Sequence, residues 1–168
     1  MYKTGDIVMY PGTGVCRIED IVTQKFARTE EKTYYVLRGV YDNAGTTIYC
    51  PVDNENIKVR KLLSKEGVSL LIKNASREEK LWVDNDNERK KIFSAILKEG
   101  DRTKILKLII EIHEKQAEKE SEGKKLHLSD EKILVQAEKA IHEELAYSMD
   151  IKVDEVAAFV MKEMNVEL

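Results

Sequence analysis

The residues that most often carry catalysis do not form a working arrangement in this sequence. Its three histidines, His113, His127 and His142, lie in Glu- and Lys-rich stretches without metal-ligand spacing such as HExxH. No glycine-rich phosphate loop or nucleophile elbow is present. We interpret Glu143 and Glu144, beside His142, as an exposed helix face. The sequence therefore indicates a protein that is not an enzyme and that uses no metal ion, cofactor or small-molecule substrate.

The two cysteines also favour a structural role over a chemical one. Cys16 and Cys50 are far apart in the sequence, lie among apolar residues and have no CxxC partner. A metal or redox site needs its thiols close together. We therefore expect both residues to be reduced thiols that fill the core of a β-sheet.

Recognition of another macromolecule is the chemistry that remains. Trp82 is the only tryptophan, and the polar residues 84–87 follow it closely. Residues 89–107 contain seven basic and two acidic residues, whereas residues 108–168 contain eight basic and fifteen acidic ones. Such a local excess of cations suits phosphate groups, but it is equally typical of a solvated helix face. Trp82 alone is likewise typical of a half-buried core residue.

Composition sets the frame for these residues. The chain has 168 residues, of which 42% are hydrophobic and 35% are charged, so a packed core with solvated helical faces is expected. No apolar run approaches the ~18 residues that span a membrane. A Pro-Gly turn at residues 11–12 interrupts the N-terminal apolar run, which argues against a signal peptide. We therefore expect a cytoplasmic protein.

The first sixty residues have the short apolar runs and turn residues of β structure. Strands are predicted at 7–10, 15–22, 33–38 and 46–52, with a short fifth beginning at Val59. Pro51 has no backbone N–H for a ladder, so the fourth strand should end there or lie at a sheet edge. These short strands predict a small antiparallel barrel, whose edges can pair with a strand of another protein.

Helical periodicity replaces this pattern from about residue 62. Ser64 is expected to cap a short helix, and Gly100 followed by Asp101 predicts the end of one helix and the start of the next. Two later helices are predicted to begin at about residues 129–131 and to span about 153–164. Four or five helices are expected in all.

The predicted fold class is therefore α+β. Residues 1–62 form the small antiparallel β-barrel, and residues 63–168 form an all-α helical domain. The chain shows no internal repeat, and two small domains account for its length better than one.

A series of motifs carries a resemblance that covers nearly the whole chain. In the β part, GDIVMYPGTGV at 5–15 precedes YYVL at 34–37 and CPVDN at 50–54. The helical part continues with Trp82, Arg89, Gly100-Asp101, LSDEK at 128–132, Ala137 and ELA at 144–146. In this order the landmarks resemble the CarD/CdnL family of bacterial transcription regulators. The β part is also similar to the RNA-polymerase-interaction domain of the transcription-repair coupling factor.

The resemblance implies that residues 1–62 are a Tudor-like module that binds the β subunit of RNA polymerase. It further implies that the helical domain contacts promoter DNA at the upstream edge of the transcription bubble and stabilises the open complex. On this basis the polymerase-binding residues are expected at the end of the second strand and along the fourth: Gln24, Thr47, Ile48, Tyr49 and Pro51. Without the resemblance, Ile48 and Tyr49 would be interpreted as ordinary barrel core and surface.

The resemblance also implies DNA-binding residues in the helical domain. Trp82 is expected to be an exposed wedge that enters the minor groove and stacks on a partly unstacked base step. Arg89, Lys90 and Lys91 are expected to fix its register through phosphates. For these cations the alternative interpretation is a solvated helix surface.

The sequence departs from the family pattern near both predicted sites. About four residues, 83–86, are inserted after Trp82, and Glu88 stands at a family arginine position. An extra helical turn there would raise or rotate the indole. Gln24 and Tyr49 stand where some relatives have arginines. A polymerase adaptor that makes no direct DNA contact is therefore the alternative function, and the acidic residues 108–168 favour it.

Overall fold

The computed structural model describes residues 1–56 and 59–165. The chain divides into two compact units, Met1–Leu62 and Leu63–Leu168, and each is described by itself. The N-terminal unit is a β-sheet and the C-terminal unit is helical, so the predicted α+β class is confirmed. No helix in the described part of the chain is long and apolar enough to cross a membrane.

The sheet unit contains five antiparallel strands in the spatial order β4-β3-β2-β1-β5. The strands are β1 (Ile7–Tyr10), β2 (Gly14–Gln24), β3 (Lys32–Gly39), β4 (Thr47–Pro51) and β5 (Arg60–Lys61). The predicted strand positions are confirmed within one or two residues. The sheet is open, however, and β4 and β5 are its edges, so the predicted closure into a barrel is not observed.

One face of the sheet carries the core of this unit. Its buried residues are Val8, Cys16, Ile18, Tyr35, Leu37 and Cys50. Neither cysteine forms a disulfide and both are buried, which confirms the prediction made from their apolar surroundings. Burial raises the pKa of the Cys50 thiol, so the neutral form is favoured at this position.

The helical unit contains five α-helices and a short 3-10 helix at Val153–Glu155. The α-helices are α1 (Lys65–Arg77), α2 (Asp86–Glu99), α3 (Arg102–Ser121), α4 (Leu128–Met149) and α5 (Val156–Glu163). Helix α3 packs against both α1 and α4. Its apolar residues at helical spacing, among them Ile105, Leu108 and Ile112, are buried and form the centre of this packing.

The helix ends follow the capping residues that the sequence predicts. The Ser64 side chain accepts a hydrogen bond from the Gly67 N–H, which caps α1. Gly100 ends α2 with a φ of 76°, and the Asp101 side chain accepts from the Lys104 N–H at 3.1 Å to begin α3. Glycine has no Cβ, so it adopts this left-handed conformation without steric cost. The predicted junction between α2 and α3 is confirmed.

Glu144 on α4 has a structural role that differs from the exposed position predicted for it. It is fully buried. One of its carboxylate oxygens accepts from the Leu63 N–H at 3.0 Å and pairs with Arg102 at 3.1 Å. The Ser148 hydroxyl donates to the Leu63 carbonyl at 2.6 Å. Because both backbone groups of Leu63 bond to α4, the first residue of the helical unit is fixed to its longest helix.

Candidate functional site

Strand β4 is one edge of the sheet, as predicted from Pro51, which is its last residue. It pairs with β3 on one side, and no strand pairs with its other side within residues 1–56 and 59–165. An edge of this kind presents unpaired backbone groups that another strand can meet.

The hydrogen-bond pattern shows which backbone groups of β4 face outward. The Val52 N–H donates to the Thr33 carbonyl at 3.0 Å. In an antiparallel pair, the residues that bond to the partner strand alternate with residues that do not. Ile48 and Cys50 therefore share the orientation of Val52 and bond to β3. The N–H and C=O of Thr47 and Tyr49 point away from β3 to the outer edge.

The side chains of β4 alternate in the perpendicular direction. Cys50 is buried in the core, and Ile48 packs against the same core. Thr47 and Tyr49 lie on the opposite face and are exposed. The five residues of β4, TIYCP, include no charged side chain. A strand that pairs with β4 would therefore meet backbone groups and uncharged side chains.

An aromatic cluster of Phe26, Tyr34 and Tyr49 lies beside this edge. The Phe26 ring contacts Tyr34 and Tyr49 in edge-to-face geometry, with centroid distances of 5.0 and 5.1 Å. Phe26 and Tyr49 remain 38% and 44% exposed, although each packs against another ring. Large aromatic residues that keep this much exposed surface are common at protein interfaces.

The aromatic cluster was only partly predicted. Tyr49 was expected at the interface, but Phe26 was missed because it lies in the loop between β2 and β3. An apolar ring inside the polar loop 25–31 is the one sequence signal that points to it. Gln24 is half-buried at the end of β2, where it pairs with Lys32, so β3 lies between it and β4. The structure thus brings four of the five predicted residues together on β4 and places Gln24 two strands away.

In the helical unit, Trp82 lies in the connection between α1 and α2 and is half-buried. Its ring contacts Phe93 edge-to-face at a centroid distance of 6.0 Å. The Arg89 guanidinium carbon lies 4.2 Å from the indole centroid, and the Lys115 ammonium lies 5.5 Å from it. The indole is therefore not the exposed wedge that the resemblance implies, and its partial burial is the position that the sequence alone favours.

The backbone beside Trp82 is also fixed. The Leu81 N–H donates to both carboxylate oxygens of Glu111 on α3, each at 3.0 Å. A hollow of about 350 Å³ adjoins the ring. Its other lining residues are Lys80, Lys107, Glu111, Glu114, Lys115 and Glu118. The accessible part of Trp82 thus faces a strongly charged depression of mixed sign.

Arg89 does not occupy the position expected of a phosphate contact. It is 2% exposed, and its guanidinium makes a bidentate pair with Asp130 at 2.9 and 2.7 Å. It also donates to the Val83 and Asp84 carbonyls at 2.9 and 3.3 Å, and to Asp86 at 2.6 Å. A guanidinium has five N–H donors, and these five hydrogen bonds engage them all. None is left for DNA, so the predicted role of Arg89 is corrected to a structural one.

The hydrogen bonds between Arg89 and its carboxylate partners also shift pKa values in this cluster. The bond to Asp130 raises the pKa of Arg89, with a smaller contribution from Asp86. The bond from Arg89 lowers the pKa of Asp86. Both shifts favour the charged forms of Arg89 and Asp86, which strengthens the hydrogen bond between them.

The inserted residues 83–86 explain how Arg89 is held. They do not form the extra helical turn that the sequence suggested, because α2 begins only at Asp86 and residues 79–83 are irregular. Val83, Asp84 and Asp86 instead supply three of the five acceptors of Arg89. The insertion thus folds back onto the arginine.

Lys90 and Lys91 are exposed on α2, as is Glu88. Neither lysine forms an ion pair within the described residues. They are the two predicted DNA-binding cations that remain available to a phosphate.

Two of the histidines lie near Glu138 in the helical unit. His113 Nε2 lies 2.8 Å from a Glu138 oxygen, and His142 is buried nearby on α4. Burial lowers the pKa of His142, while the charge of Glu138 opposes this shift. In the part of the chain that the structure describes, no three His, Cys, Asp or Glu residues are placed to hold a metal ion.

Residues 2–63 match the family model of the CarD-like/TRCF RID domain. The match covers nearly all of the N-terminal unit, which is called the RID domain below. No curated protein matches the chain. The family is an RNA-polymerase-interaction domain rather than a catalytic one, which indicates a transcription-related, polymerase-binding role.

The RID domain contains the complete β4 edge and the aromatic cluster beside it. The family predicted from the sequence motifs is thereby confirmed for this part of the chain. The match ends at residue 63, before the first helix.

Proposed function

We propose that this chain binds the β subunit of RNA polymerase through the RID domain and contacts promoter DNA through its helical unit. The DNA contact lies at the upstream edge of the transcription bubble and prolongs the life of the open complex. The observation that carries the proposal is the outward-facing backbone of β4 within a polymerase-interaction domain.

The polymerase contact rests on strand pairing. The N–H and C=O groups of Thr47 and Tyr49 face outward, whereas the Pro51 carbonyl accepts a hydrogen bond from the Asn54 N–H at 3.1 Å. A partner strand that adds to this edge gains main-chain hydrogen bonds, which depend little on side-chain identity. This mode of binding explains how Gln24 and Tyr49 can replace arginines without loss of the contact. The aromatic cluster then supplies an apolar area beside the new strand.

The DNA contact rests on the half-buried indole and the cations near it in sequence. Trp82 keeps part of its ring accessible, and an aromatic ring stacks on an unpaired base whatever its sequence. Lys90 and Lys91 are exposed on the next helix and carry the charge that phosphates attract. The polymerase contact holds this unit near the DNA, so a weak intrinsic affinity is sufficient.

The direct test is the lifetime of a promoter open complex with and without the protein. We expect the full chain to prolong it and to bind a pre-melted promoter fragment far more tightly when polymerase is present. A lifetime that does not change with the protein at saturation contradicts the proposal. Whether transcription then rises or falls depends on the step that limits initiation at each promoter, because a stabilised bubble aids opening and hinders escape.

A polymerase adaptor without DNA contact is the second candidate. Two observations favour it: Arg89 is withdrawn from the surface, and residues 108–168 carry fifteen acidic residues against eight basic ones. The same titration separates the candidates. For an adaptor, the pre-melted fragment gains no affinity from the chain when polymerase is present.

A further inference from the structure

Arg89 and Asp130 form a buried ion pair directly against the indole of Trp82. We infer that Arg89, clamped by Asp130, is a positioning residue that holds the Trp82 ring in its orientation toward DNA. The inference rests on the proposed function, since it assigns Trp82 to the DNA contact. It gives Asp130, to which the motifs assign no function, a role in a site that lies 48 residues earlier in the chain.

The contacts of the indole show why a positioning group is needed. The Nε1–H is buried and has no acceptor within the described residues, so no hydrogen bond fixes the angle of the ring. Its orientation depends on packing alone. Phe93 touches the ring edge-to-face at 6.0 Å, and the Arg89 guanidinium lies 4.2 Å from its centroid. A planar cation at this distance attracts the face of the ring.

The guanidinium can define the ring only if it is itself immobile. Two of its bonds go to Asp130, which is 1% exposed on the first turn of α4. The other three go to residues 83–86, the segment that immediately follows Trp82. Arg89 is therefore tied both to a rigid helix and to the loop that carries the indole. Asp130 fixes the arginine, and the arginine fixes the ring.

A buried ion pair is a costly way to gain stability alone. Desolvation offsets most of its attraction, and apolar residues of similar volume often stabilise a fold equally well. The strict geometry of a bidentate pair instead specifies one arrangement. Because this pair lies against the half-buried ring of Trp82, a role in orienting that ring accounts for it better than a role in stability.

Trp82 is the only tryptophan, so its fluorescence reports on this site in the full chain. We expect Asp130→Asn and Arg89→Lys to increase the fast component of the anisotropy decay and the quenching by acrylamide. Asp86→Asn is the matched control, because it leaves the bidentate pair with Asp130 in place. It should change both signals little. A folded Asp130→Asn chain with wild-type anisotropy and quenching overturns the inference.

The single variants leave one buried charge unpaired and can unfold the unit. The double variant Arg89→Met with Asp130→Leu removes the pair as a whole and is expected to fold. A cooperative melt together with a mobile Trp82 supports the positioning role, whereas an immobile ring contradicts it. A further measurement needs no substitution in the pair. The Arg89 Nε–H proton should show an upfield ring-current shift in the unmodified chain that disappears in Trp82→Leu, and its absence also overturns the inference.

The open-complex assay separates this inference from the proposed function. We expect the double variant to bind polymerase normally and to shorten the open-complex lifetime by about two- to thirtyfold, the range of one cation–π contact. If the ring becomes mobile but the lifetime does not change, the positioning role stands and the DNA role of Trp82 fails. If the wild-type chain prolongs the lifetime and the ring stays fixed without the pair, the inference fails and the function stands.

Discussion

At the outer edge of β4, the outward-facing groups are the backbone N–H and C=O of Thr47 and Tyr49. Around Trp82, the proposed DNA contact would depend on side chains, and the indole is held by other side chains. The two sites therefore differ in how much sequence change they allow. A backbone edge survives most substitutions that preserve the strand, whereas the indole depends on Arg89, Asp130 and the loop at 83–86.

The two sites also differ in charge. Strand β4 has no charged residue, and the rings beside it are apolar. The helical site has cations and carboxylates around the indole, and two exposed lysines on α2. Contacts with phosphates weaken as the salt concentration rises, because the release of counterions from the DNA then gains less entropy. Main-chain pairing and aromatic packing do not depend on this release. We therefore expect the polymerase contact to resist salt and the DNA contact to be sensitive to it.

The largest expected effect comes from Tyr49→Pro. Proline removes an N–H that points to the outer edge, so the variant should lose retention on polymerase while the sheet still folds. Binding of the full chain to immobilised polymerase and circular dichroism measure the two properties. Cys50→Pro is the matched control, because that N–H bonds to β3 and its loss should unfold the RID domain. Retention of a folded Tyr49→Pro chain at wild-type strength is evidence against strand pairing.

Trp82→Ala should affect function strongly and stability moderately. Truncation of a fully buried aromatic residue to alanine lowers the free energy of unfolding by about 3–5 kcal/mol. Because Trp82 is only half-buried, we expect a loss of about 2 kcal/mol. Loss of base stacking should shorten the open-complex lifetime by about five- to 150-fold, or 1–3 kcal/mol. Thermal melting and lifetime measurements test both values. Trp82→Phe keeps an aromatic ring, so it should lose less thermal stability and less open-complex lifetime. An unchanged lifetime in Trp82→Ala would show that the indole does not take part in the DNA contact.

Charge reversal of Lys90 and Lys91 should produce a smaller change that is specific to DNA. Each lost phosphate contact lowers the log–log salt slope by about one unit, so the double variant should lose about two. Titrations with pre-melted promoter at several salt concentrations, in the presence of polymerase, give the slope. Lys65→Glu with Lys73→Glu is a control of equal charge on α1. The same slope in both double variants would show that Lys90 and Lys91 lie on a solvated face.

The smallest expected effect is a pH dependence confined to the helical unit. Burial lowers the pKa of His142, so the unfolded chain takes up a proton more readily than the folded one. The free energy of unfolding is therefore highest above the ordinary histidine pKa of about 6.5 and falls as the pH drops below it. Urea unfolding followed by Trp82 fluorescence at about pH 7.5 and about pH 5.5 measures the difference. His142→Leu should reduce it, and the RID domain, which has no histidine, should not share it.

Local features of the chain were predictable because local chemistry determines them. The strand positions follow from apolar runs and turns, and the α2–α3 junction follows from Gly100 and Asp101. Pro51 predicted that the fourth strand would end there or lie at a sheet edge, because a residue without an N–H is tolerated at either place, and β4 does both. These predictions need only a few neighbouring residues.

The environment of Arg89 was not predictable in this way. An arginine beside two lysines in a basic stretch is normally solvated, and its partner Asp130 lies 41 residues away. Only the packing of α2 against α4 brings the two together. Glu144 was misjudged for the same reason, since its partner Leu63 lies 81 residues earlier. Long-range partners of charged residues leave no periodic signal in the sequence.

The bonds between Leu63 and α4 have a consequence for synthesis. Glu144 and Ser148 leave the ribosome 81 and 85 residues after Leu63. At about 5–20 residues per second, the gap to Glu144 lasts about 4–16 s. During this interval residues 1–62 are complete and the RID domain can fold, but the helical unit still lacks the helix that holds its first residue. On the proposed function, the nascent chain is therefore expected to be able to bind RNA polymerase before it can contact DNA.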